Sequence, residues 1–474
     1  MRKLLWLAIA VVLPAQQNRF APGIGQFVSV TAPVVALLHV RVIDGTGQAP
    51  LDDQTVVIEH GRIAALGAAA RTEVPAGALR IDLAHDTVIP GIVGMHEHLF
   101  YPSGGGIPTY NEQWFSFPRL YLASGVTSAR TGGSLEPYTD LSLKRLIDGQ
   151  RVPGPKLYLT GPYLEGTGAW APQMHQLKDA ADARRTVDYW ASEGVTSFKA
   201  YMNITHAELE AAVGEAHKLG VKVTGHLCSV GFREAAEIGI DNLEHGLLVD
   251  TEFDDGKKRD VCPPQPVTEA AIAKLDMESA PVQETIRELV KRGVAVTSTL
   301  AVFEAMTPHR PPFRLEQRLL DALTPQASIA YLESRARAAD QTGSIMPALL
   351  KNEMRFERDF ARAGGLLMAG ADPTGNGGAM AGFADQRNAE VLVEAGFTPV
   401  EAIRIMSYNG AKWLGALDRA GSVAVGKDAD LVVVEGDPAE RIADIEKVKI
   451  VFKDGIGYDP EKLIRSVAGA VGLH

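Results

Sequence analysis

The sequence predicts an α/β protein: a closed (β/α)8 barrel of the TIM type, with a small β-sandwich domain built from both termini. Two observations lead to this prediction. Between residues 87 and 413, short apolar runs alternate with stretches of helical periodicity, as in folds with a parallel sheet. Both ends of the chain instead carry β-rich segments broken by glycine turns, without a helical period.

The central segment contains eight apolar runs of strand length. Helix-like stretches lie between them, such as "THAELEAAVGEAHKLG", which has apolar residues at helical spacing and ends at Gly220. Eight strands alternating with helices favour a closed barrel over an open sheet. The eight runs are VIPGIVGMHEH, GVTSARTGG, PKLYLTGPYLEG, GVTSFKAYM, VKVTGHLCS, IDNLEHG, VAVTSTLAVFE and LLMAGADPTG.

Two connections in the central segment are long, at about residues 247–288 and 305–362, and the second has mostly helical sequence. Long loops of a barrel lie at the rim formed by the C-terminal strand ends. We therefore expect these two segments to form a lid over that rim.

The β-rich segments define the expected domain boundaries. Near the start the chain reads "VALLHVRVIDGTG", and near the end "AGSVAVGKDADLVVVEGDP". We expect the β-sandwich to comprise residues 34–86 and 416–460, with the barrel inserted as residues 87–415.

Charge and composition narrow the possible partners. The chain has 474 residues, of which 46% are hydrophobic and 22% charged, as in ordinary globular proteins. Its net charge of −11 disfavours binding to nucleic acid or to an anionic membrane surface, which would repel it. A small-molecule substrate is the expected partner, and a homo-oligomer is possible.

The first residues, "MRKLLWLAIAVVLPAQQ", resemble a secretory signal peptide. Arg2 and Lys3 precede an apolar run that is too short to span a bilayer. We expect residues 1–16 to be removed, the mature protein to be periplasmic or secreted, and no membrane insertion to follow.

The chain has two cysteines, Cys228 and Cys262. They could pair in an oxidising compartment, but a chain of this size does not need a cross-link for stability. We expect two small buried thiols.

The first of the eight runs ends in "MHEH". In a strand, side chains two residues apart point to the same face, so His96 and His98 are predicted to lie side by side, with Glu97 on the opposite face. Two imidazoles on one face at a strand end are suited to hold a metal ion.

Four further runs carry a titratable residue near their ends: Lys199, His226, His245 and Asp372. In a parallel barrel these ends converge on one face, where active sites form. Imidazole and carboxylate ligands suit a borderline divalent ion, with zinc the expected metal. Asp372 could also only cap the helix that follows it.

Lys199 needs a separate explanation, because an ammonium group would repel a metal. Burial lowers the pKa of a lysine, and the neutral amine can then react with carbon dioxide. The resulting carbamate is an anion whose two oxygens could bridge two metal ions. The predicted cofactors are therefore two divalent ions held in part by a carboxylated Lys199, although Lys199 could instead lie beside a single metal.

This set of residues resembles the amidohydrolase superfamily in its binuclear form, and within it the imidazolonepropionase-related and prolidase-like enzymes. The resemblance covers nearly the whole chain after the signal segment. This sequence departs from the family pattern at Gly94, where the family usually has an aspartate. The resemblance implies six metal ligands, in the family's order along the chain: His96, His98, Lys199, His226, His245 and Asp372.

The chemistry expected of such a site is hydrolysis of an amide or peptide bond by a metal-bridging hydroxide. Asp372 would accept the proton and pass it to the leaving group. Prolidase-like relatives imply a dipeptide or an N-acyl amino acid as substrate. The alternatives are a lactonase or phosphotriesterase, a mononuclear cyclic-amide hydrolase or deaminase, and a scaffold without catalysis.

Aromatic and polar side chains near the strand ends are candidates for substrate contacts. Tyr101, Tyr163 and Tyr201 are included, and Tyr201 should face the same way as Lys199 if the strand continues. His175 is a further candidate, with an ordinary loop position as the alternative. His206 and His217 are expected to be exposed on a helix, without a role.

Overall fold

The structure, a computed structural model, describes residues 21–103, 109–311, 316–375 and 378–473. The expected signal peptide, residues 1–16, lies outside these ranges. The strands are β1 (Val28–Val30), β2 (Val34–Val42), β3 (Leu51–Glu59), β4 (Arg62–Ala68), β5 (Leu79–Asp82), β6 (Asp86–Pro90), β7 (Ile92–Glu97), β8 (Phe100–Ser103), β9 (Thr109–Glu112), β10 (Val126–Thr131), β11 (Lys156–Tyr158), β12 (Ser197–Ala200), β13 (Lys222–Gly225), β14 (Asn242–Glu244), β15 (Ala295–Ser298), β16 (Leu367–Ala369), β17 (Leu431–Glu435), β18 (Val448–Lys453) and β19 (Ile456–Tyr458).

Helices follow most of the central strands. They are α1 (Pro22–Gly25), α2 (Phe117–Ala123), α3 (Pro137–Asp148), α4 (Ala180–Glu193), α5 (His206–Lys218), α6 (Phe232–Ile238), α7 (Gln265–Ala273), α8 (Ala280–Arg292), α9 (Leu300–Ala305), α10 (Glu316–Ala322), α11 (Pro325–Ala339), α12 (Met346–Arg362), α13 (Phe383–Glu394), α14 (Pro399–Arg404), α15 (Gly410–Trp413) and α16 (Pro460–Arg465).

Strands from both ends of the chain pair in one sheet. Its order is β1-β19-β18-β17-β6-β2-β3-β4, with β5 beside β2. β17 runs antiparallel to β6, which places Leu431 opposite Pro90. A separate apolar core, with Val35, Val56 and Phe452 fully buried, lies in this unit. The sheet from both termini therefore extends to Pro90, and the central strands begin at Ile92.

The eight predicted central strands are all present, as β7 and β10 to β16. They pair in parallel as two sheets, in the orders β11-β10-β7 and β12-β13-β14-β15-β16. A parallel bridge between Thr160 and Ser197 joins one pair of sheet edges. At the other pair, the Asp372 amide donates to the His96 carbonyl across 2.9 Å. All eight strand ends therefore lie toward the same face.

Gly370 is required where these last two strands meet. A Cβ atom at Gly370 would lie closer than 3.0 Å to the backbone of His96, a distance that real side chains do not adopt. The glycine thus allows the chain after β16 to approach β7, which brings Asp372 beside the two histidines.

The predicted helical stretch that begins at Thr205 is confirmed as α5. Thr205 Oγ1 accepts from the Glu208 amide while Glu208 accepts from the Thr205 amide, which satisfies the free amides of the first turn. The backbone of Gly220 has φ +71°, a conformation that favours glycine after a helix end. The second long connection is largely helical, as predicted, since it contains α10, α11 and α12.

The expectation of two separate thiols is wrong, because Cys228 and Cys262 form a disulfide. The long connection after β14 folds back over the end of β13, where Thr251 Oγ1 donates to the Cys228 carbonyl across 2.6 Å. This fold-back, which spacing in the sequence does not reveal, brings Cys262 to Cys228.

Within the described ranges, each helix is too short or too polar to cross a membrane.

Candidate active site

A buried group of two histidines and one aspartate lies where β7 and β16 end. Asp372 Oδ1 is 3.1 Å from His98 Nε2 and 3.5 Å from His96 Nε2. Both imidazoles therefore face the same carboxylate, as the alternation of strand side chains predicted. The backbone of Asp372 has φ +47°, an uncommon conformation for an aspartate that is often found at functional sites.

The other three predicted residues join the same cluster. Lys199 Nζ lies 2.9 Å from His96 Nε2. The ring of His245 is 4.5 Å from the ring of His96 between centroids, and the ring of His226 is 4.6 Å from that of His245. The structure thus brings all six sequence-predicted residues together, from five different strand ends.

Two charged residues behind the histidines were not singled out from the sequence. Glu244 Oε2 is 2.8 Å from His96 Nδ1, and its Oε1 is 2.6 Å from the Arg130 guanidinium. Arg130 also donates to the Met95 carbonyl, and both side chains are fully buried. The position of Glu244 directly before His245, at a strand end, is the signal that could have indicated it.

Glu97, between the two histidines, occupies the space left by Gly94. A Cβ atom at Gly94 would lie closer than 3.0 Å to the Glu97 carboxylate. Glu97 Oε1 in turn accepts from the Ala371 amide at 3.2 Å, next to Asp372. In place of the aspartate that the family pattern has at residue 94, this chain therefore has a buried carboxylate supplied from residue 97.

The tyrosine candidates fall into two groups. Tyr163 and Tyr201 lie over Lys199, each with its ring centroid 5.7 Å from Nζ, and the ring of Tyr201 also packs against His226 at 4.8 Å. Tyr101 is buried and packs against Phe117 away from the cluster, with ring centroids 5.9 Å apart.

The histidines at positions 175, 206 and 217 lie outside the cluster. His175 is half-exposed and pairs with Asp182 at 3.2 Å. The expectation that His206 is exposed is wrong: it is 8% exposed, and its Nδ1 lies 2.6 Å from Asp260, because the first turn of α5 packs under the connection after β14. The exposure expected of His217 is confirmed, with 44% of its side chain accessible.

A model of the amidohydrolase family matches residues 87–456 of this chain, which include all six clustered residues. The chain belongs to the amidohydrolase family. A dihydroorotase from Trichlorobacter lovleyi is 30% identical over 194 residues, covering 37% of this chain and only 43% of that relative.

Solved structures share the fold over nearly the whole chain. A provisionally assigned prolidase from Bifidobacterium longum superposes with a TM-score of 0.66 at 23% identity, covering 92% of this chain and 98% of that one. A Xaa-Pro dipeptidase with bound methionine superposes with a TM-score of 0.67 at 21% identity, covering 90% of this chain and all of that one. At these identities the likeness shows a common fold.

The histidines of this amidohydrolase are held in the neutral form, which is the form that binds metal. Burial lowers the pKa of His98 to about 4 and that of His226 to about 3. Burial likewise lowers the pKa of His96 and His245. The buried Nε2 of His245 has no hydrogen-bond partner among the described residues, while its Nδ1 lies 2.8 Å from Thr299 Oγ1. An unpaired nitrogen of this kind is suited to a metal ion.

The pKa values of both charged members of the cluster are lowered, which favours the neutral form of the lysine and the ionised form of the aspartate. Burial lowers the pKa of the Lys199 ammonium to about 8, although Glu244 and Asp372 act to raise it. Burial would raise the pKa of Asp372, but His96, His98 and His245 keep it well below its usual range. The cluster therefore combines neutral imidazoles, an ionised carboxylate and an amine that is easily deprotonated.

A group of three aspartates, outside the histidine cluster, lies at the sheet formed by both ends of the chain: Asp428, Asp430 and Asp454. Lys156 Nζ lies 2.7–2.8 Å from a carboxylate oxygen of each. Because a lysine ammonium already neutralises these carboxylates, we interpret this group as a structural ion-pair network. The clustered histidines are therefore the better metal site of this amidohydrolase.

A cavity of about 350 Å³ opens beside the cluster. His226, His245 and Asp372 form its floor, and Tyr201 is part of its wall. Both long connections contribute to its lining, with residues such as Leu248 from the first and Leu349 from the second. A substrate in this cavity would lie directly against the candidate metal ligands.

Proposed function

We propose that this amidohydrolase is a binuclear metal-dependent hydrolase that cleaves the amide or peptide bond of a dipeptide or an N-acyl amino acid. The observation that carries the proposal is that Asp372 Oδ1 lies within 3.5 Å of a ring nitrogen of both His96 and His98, with Lys199 against His96. Family membership supports hydrolysis at a carbon–nitrogen bond. The Xaa-Pro dipeptidase with the same fold supports the substrate class.

The residues present fit two divalent ions, with zinc the metal proposed. His96, His98 and Asp372 would hold one ion, and His226 and His245 the other, with a carboxylated Lys199 between them. The fit rests on the neutral imidazoles, the ionised carboxylate and the unpaired Nε2 of His245. When bound, such ions lower the pKa of water toward neutrality and polarise the substrate carbonyl.

The protein's own residues then have defined tasks. Asp372 would accept the proton of the attacking water at a carboxylate oxygen and deliver it to the departing nitrogen. Glu244 accepts the Nδ1 hydrogen of His96, which leaves Nε2 free to face the site. Tyr201, at the cavity wall above Lys199, would donate its hydroxyl hydrogen to the substrate.

A second candidate function is hydrolysis of a cyclic amide at a single metal ion. The dihydroorotase relative favours a cyclic amide, and the compact group of three ligands formed by His96, His98 and Asp372 favours a single ion. Such a site has no use for a bridging carbamate, so the role of Lys199 separates the two functions.

Two further proposals concern organisation and location. We propose that the eight parallel strands close into a (β/α)8 barrel and that the unit formed by both termini is a β-sandwich. The contacts at both pairs of edges of the two parallel sheets support the closed barrel. We also propose that the protein is exported. The Cys228–Cys262 disulfide supports this, because such bonds persist in oxidising compartments.

Elemental analysis of protein purified without chelator tests the binuclear site. About two metal ions per chain are expected in the wild type, falling by about one or more in Lys199→Ala. The exposed Lys218 provides the matched control variant Lys218→Ala. One metal per chain, unchanged by the loss of Lys199, would reject the binuclear mechanism and favour the mononuclear alternative.

A further inference from the structure

The cavity beside the cluster has a strongly apolar wall. Its described lining includes Leu248, Val302, Phe303, Met306, Met346 and Leu349. These side chains come from three separate segments, the connections after β14, β15 and α11, and line the same cavity as His226, His245 and Asp372, together with the polar residues Thr251, Gln265 and Thr268. At about 350 Å³, the volume is at the small end of the range for small-molecule sites, about 300–1,000 Å³.

The charged residues of the cavity lining are both acidic. Among its described lining residues there is no lysine or arginine, and the charged ones are Asp372 on the floor and Glu269 on α7. Glu269 is half-exposed and already accepts from Gln265 Nε2 at 2.7 Å. A substrate carboxylate placed against the wall, away from the proposed metal ions on the floor, would lose its hydration without a lysine or arginine to pair with. A substrate ammonium placed against the wall would find a solvent-screened glutamate that already has a partner, since Asp372 on the floor is assigned to the metal.

The wall is also covalently fixed. Cys228 and Cys262 both line the cavity, and their disulfide ties the segment that follows His226 to the long connection after β14. The Thr251 hydroxyl adds a second tie to the Cys228 carbonyl. Because these residues cannot separate without breaking a covalent bond, the cavity is preformed on this side.

From these observations we infer that the cavity binds an uncharged aliphatic or aromatic group attached directly to the scissile amide, so that the preferred substrates are amides of apolar acids or apolar amino acids. This inference rests on the proposed function, since it names the substrate class of that same site. Any charged terminus of the substrate would lie outside this cavity.

Two substrate series test the inference with metal-loaded enzyme. The first varies the acyl side, comparing N-phenylacetyl-alanine and N-(4-methylpentanoyl)-alanine with N-succinyl-alanine and N-(4-aminobutanoyl)-alanine. The second varies the amine side, comparing N-acetyl-phenylalanine and N-acetyl-leucine with N-acetyl-glutamate and N-acetyl-lysine. In one series, kcat/KM should be higher by about tenfold or more for the apolar group. The series that shows the preference identifies which side of the amide enters the cavity.

Two variants locate the preference. Val302→Phe, which would fill part of the cavity, should lower kcat/KM for the large apolar groups more than for an acetyl group in the same position. Glu269→Arg should raise kcat/KM for the succinyl or glutamate substrate relative to the wild type. Glu237→Arg, on an exposed position of α6 outside the cavity, provides the same change of charge as a control and should leave the preference unchanged.

Calorimetric binding of two hydroxamic acids provides a readout that does not depend on turnover. Phenylacetohydroxamic acid should bind the metal-loaded protein about tenfold or more tightly than the mono-hydroxamic acid of succinate. If the enzyme hydrolyses both series but shows equal or better activity on the charged members, the inference is wrong and the proposed function stands. If neither series is hydrolysed, the proposed function fails, and the hydroxamic acids alone decide whether the cavity prefers apolar groups.

Discussion

The carboxylate of Glu244 accepts the Nδ1 hydrogen of His96 across 2.8 Å, at a place where solvent reaches neither side chain. Burial would raise the pKa of Glu244, but Arg130 and His96 keep it well below its usual range, so the carboxylate is ionised and can only accept. The tautomer of His96 is thereby fixed, with the Nε2 lone pair directed at Lys199 and Asp372. Glu244, at the end of β14, thus determines which ring nitrogen of His96, on β7, faces the site.

We predict that Glu244→Gln weakens metal binding by about 10- to 100-fold, because His96 loses the anionic partner that orients it and raises its basicity. Competition with a chromophoric chelator measures the affinity. Glu237→Gln, on the exposed face of α6, serves as the matched control. An unchanged affinity in a folded Glu244→Gln protein would show that the pair does not tune the site.

A second prediction concerns two glutamates of α12 beneath the loop that carries His245. Glu353 Oε2 accepts from the Leu248 amide at 2.9 Å, and burial raises the pKa of the neighbouring Glu357 to about 8 from an ordinary value of 4.5. Between these values the folded state keeps a proton that the unfolded state releases. The free energy of unfolding should therefore fall as pH rises from 4.5 to 8, by up to about 1.4 kcal/mol per pH unit.

Chemical denaturation of wild type and Glu357→Gln at pH 5, 6, 7 and 8 isolates this contribution. The variant carries no titrating group at this position, so the difference between the two proteins should change steadily in favour of the variant as pH rises. A difference that stays constant across the range would mean that Glu357 does not hold a proton in the folded state.

A third prediction follows from the proximity of Glu97 to Gly94. Gly94→Asp alone should destabilise the protein by about 1–3 kcal/mol, because the new side chain overlaps the buried Glu97 carboxylate. Removing that carboxylate with Glu97→Ala should recover part of the loss in the double variant. Urea denaturation of the four proteins forms a double-mutant cycle. Strictly additive effects would show that the two positions do not share one space.

The disulfide supplies a fourth prediction. Cys228 and Cys262 are separated by 34 positions, and closing a loop of that length stabilises the folded state by about 3–4 kcal/mol in a chain-entropy account. Cys228→Ser should therefore lower the free energy of unfolding by about that amount, and reductant should have a similar effect on the wild type but none on the variant. Thermal and urea unfolding with and without dithiothreitol measure both.

The sequence allowed prediction of the features that depend on local pattern. The eight strands, the helix after Thr205 and the shared face of His96 and His98 follow from the periodicity of the chain. The convergence of Lys199, His226, His245 and Asp372 follows because parallel strands end at the same edge.

Features that depend on distant partners could not be predicted in this way. Arg130 and Glu244 are ordinary charged residues until the fold buries them against His96. Pairing of Cys228 with Cys262 requires the path of the connection after β14, which no local period encodes. The outward position expected of His206 was wrong because Asp260, on that same connection, covers it.

The disulfide has a consequence beyond resistance to unfolding, because it lies in the wall of the cavity and Cys228 is two residues from His226. The redox conditions under which the chain is produced therefore determine whether the cavity wall contains the disulfide or two thiols. Samples prepared in a reducing and in an oxidising host would differ in the wall of the proposed substrate cavity. Selectivity measured on a mixture of the two forms would be an average over two enzymes with one sequence.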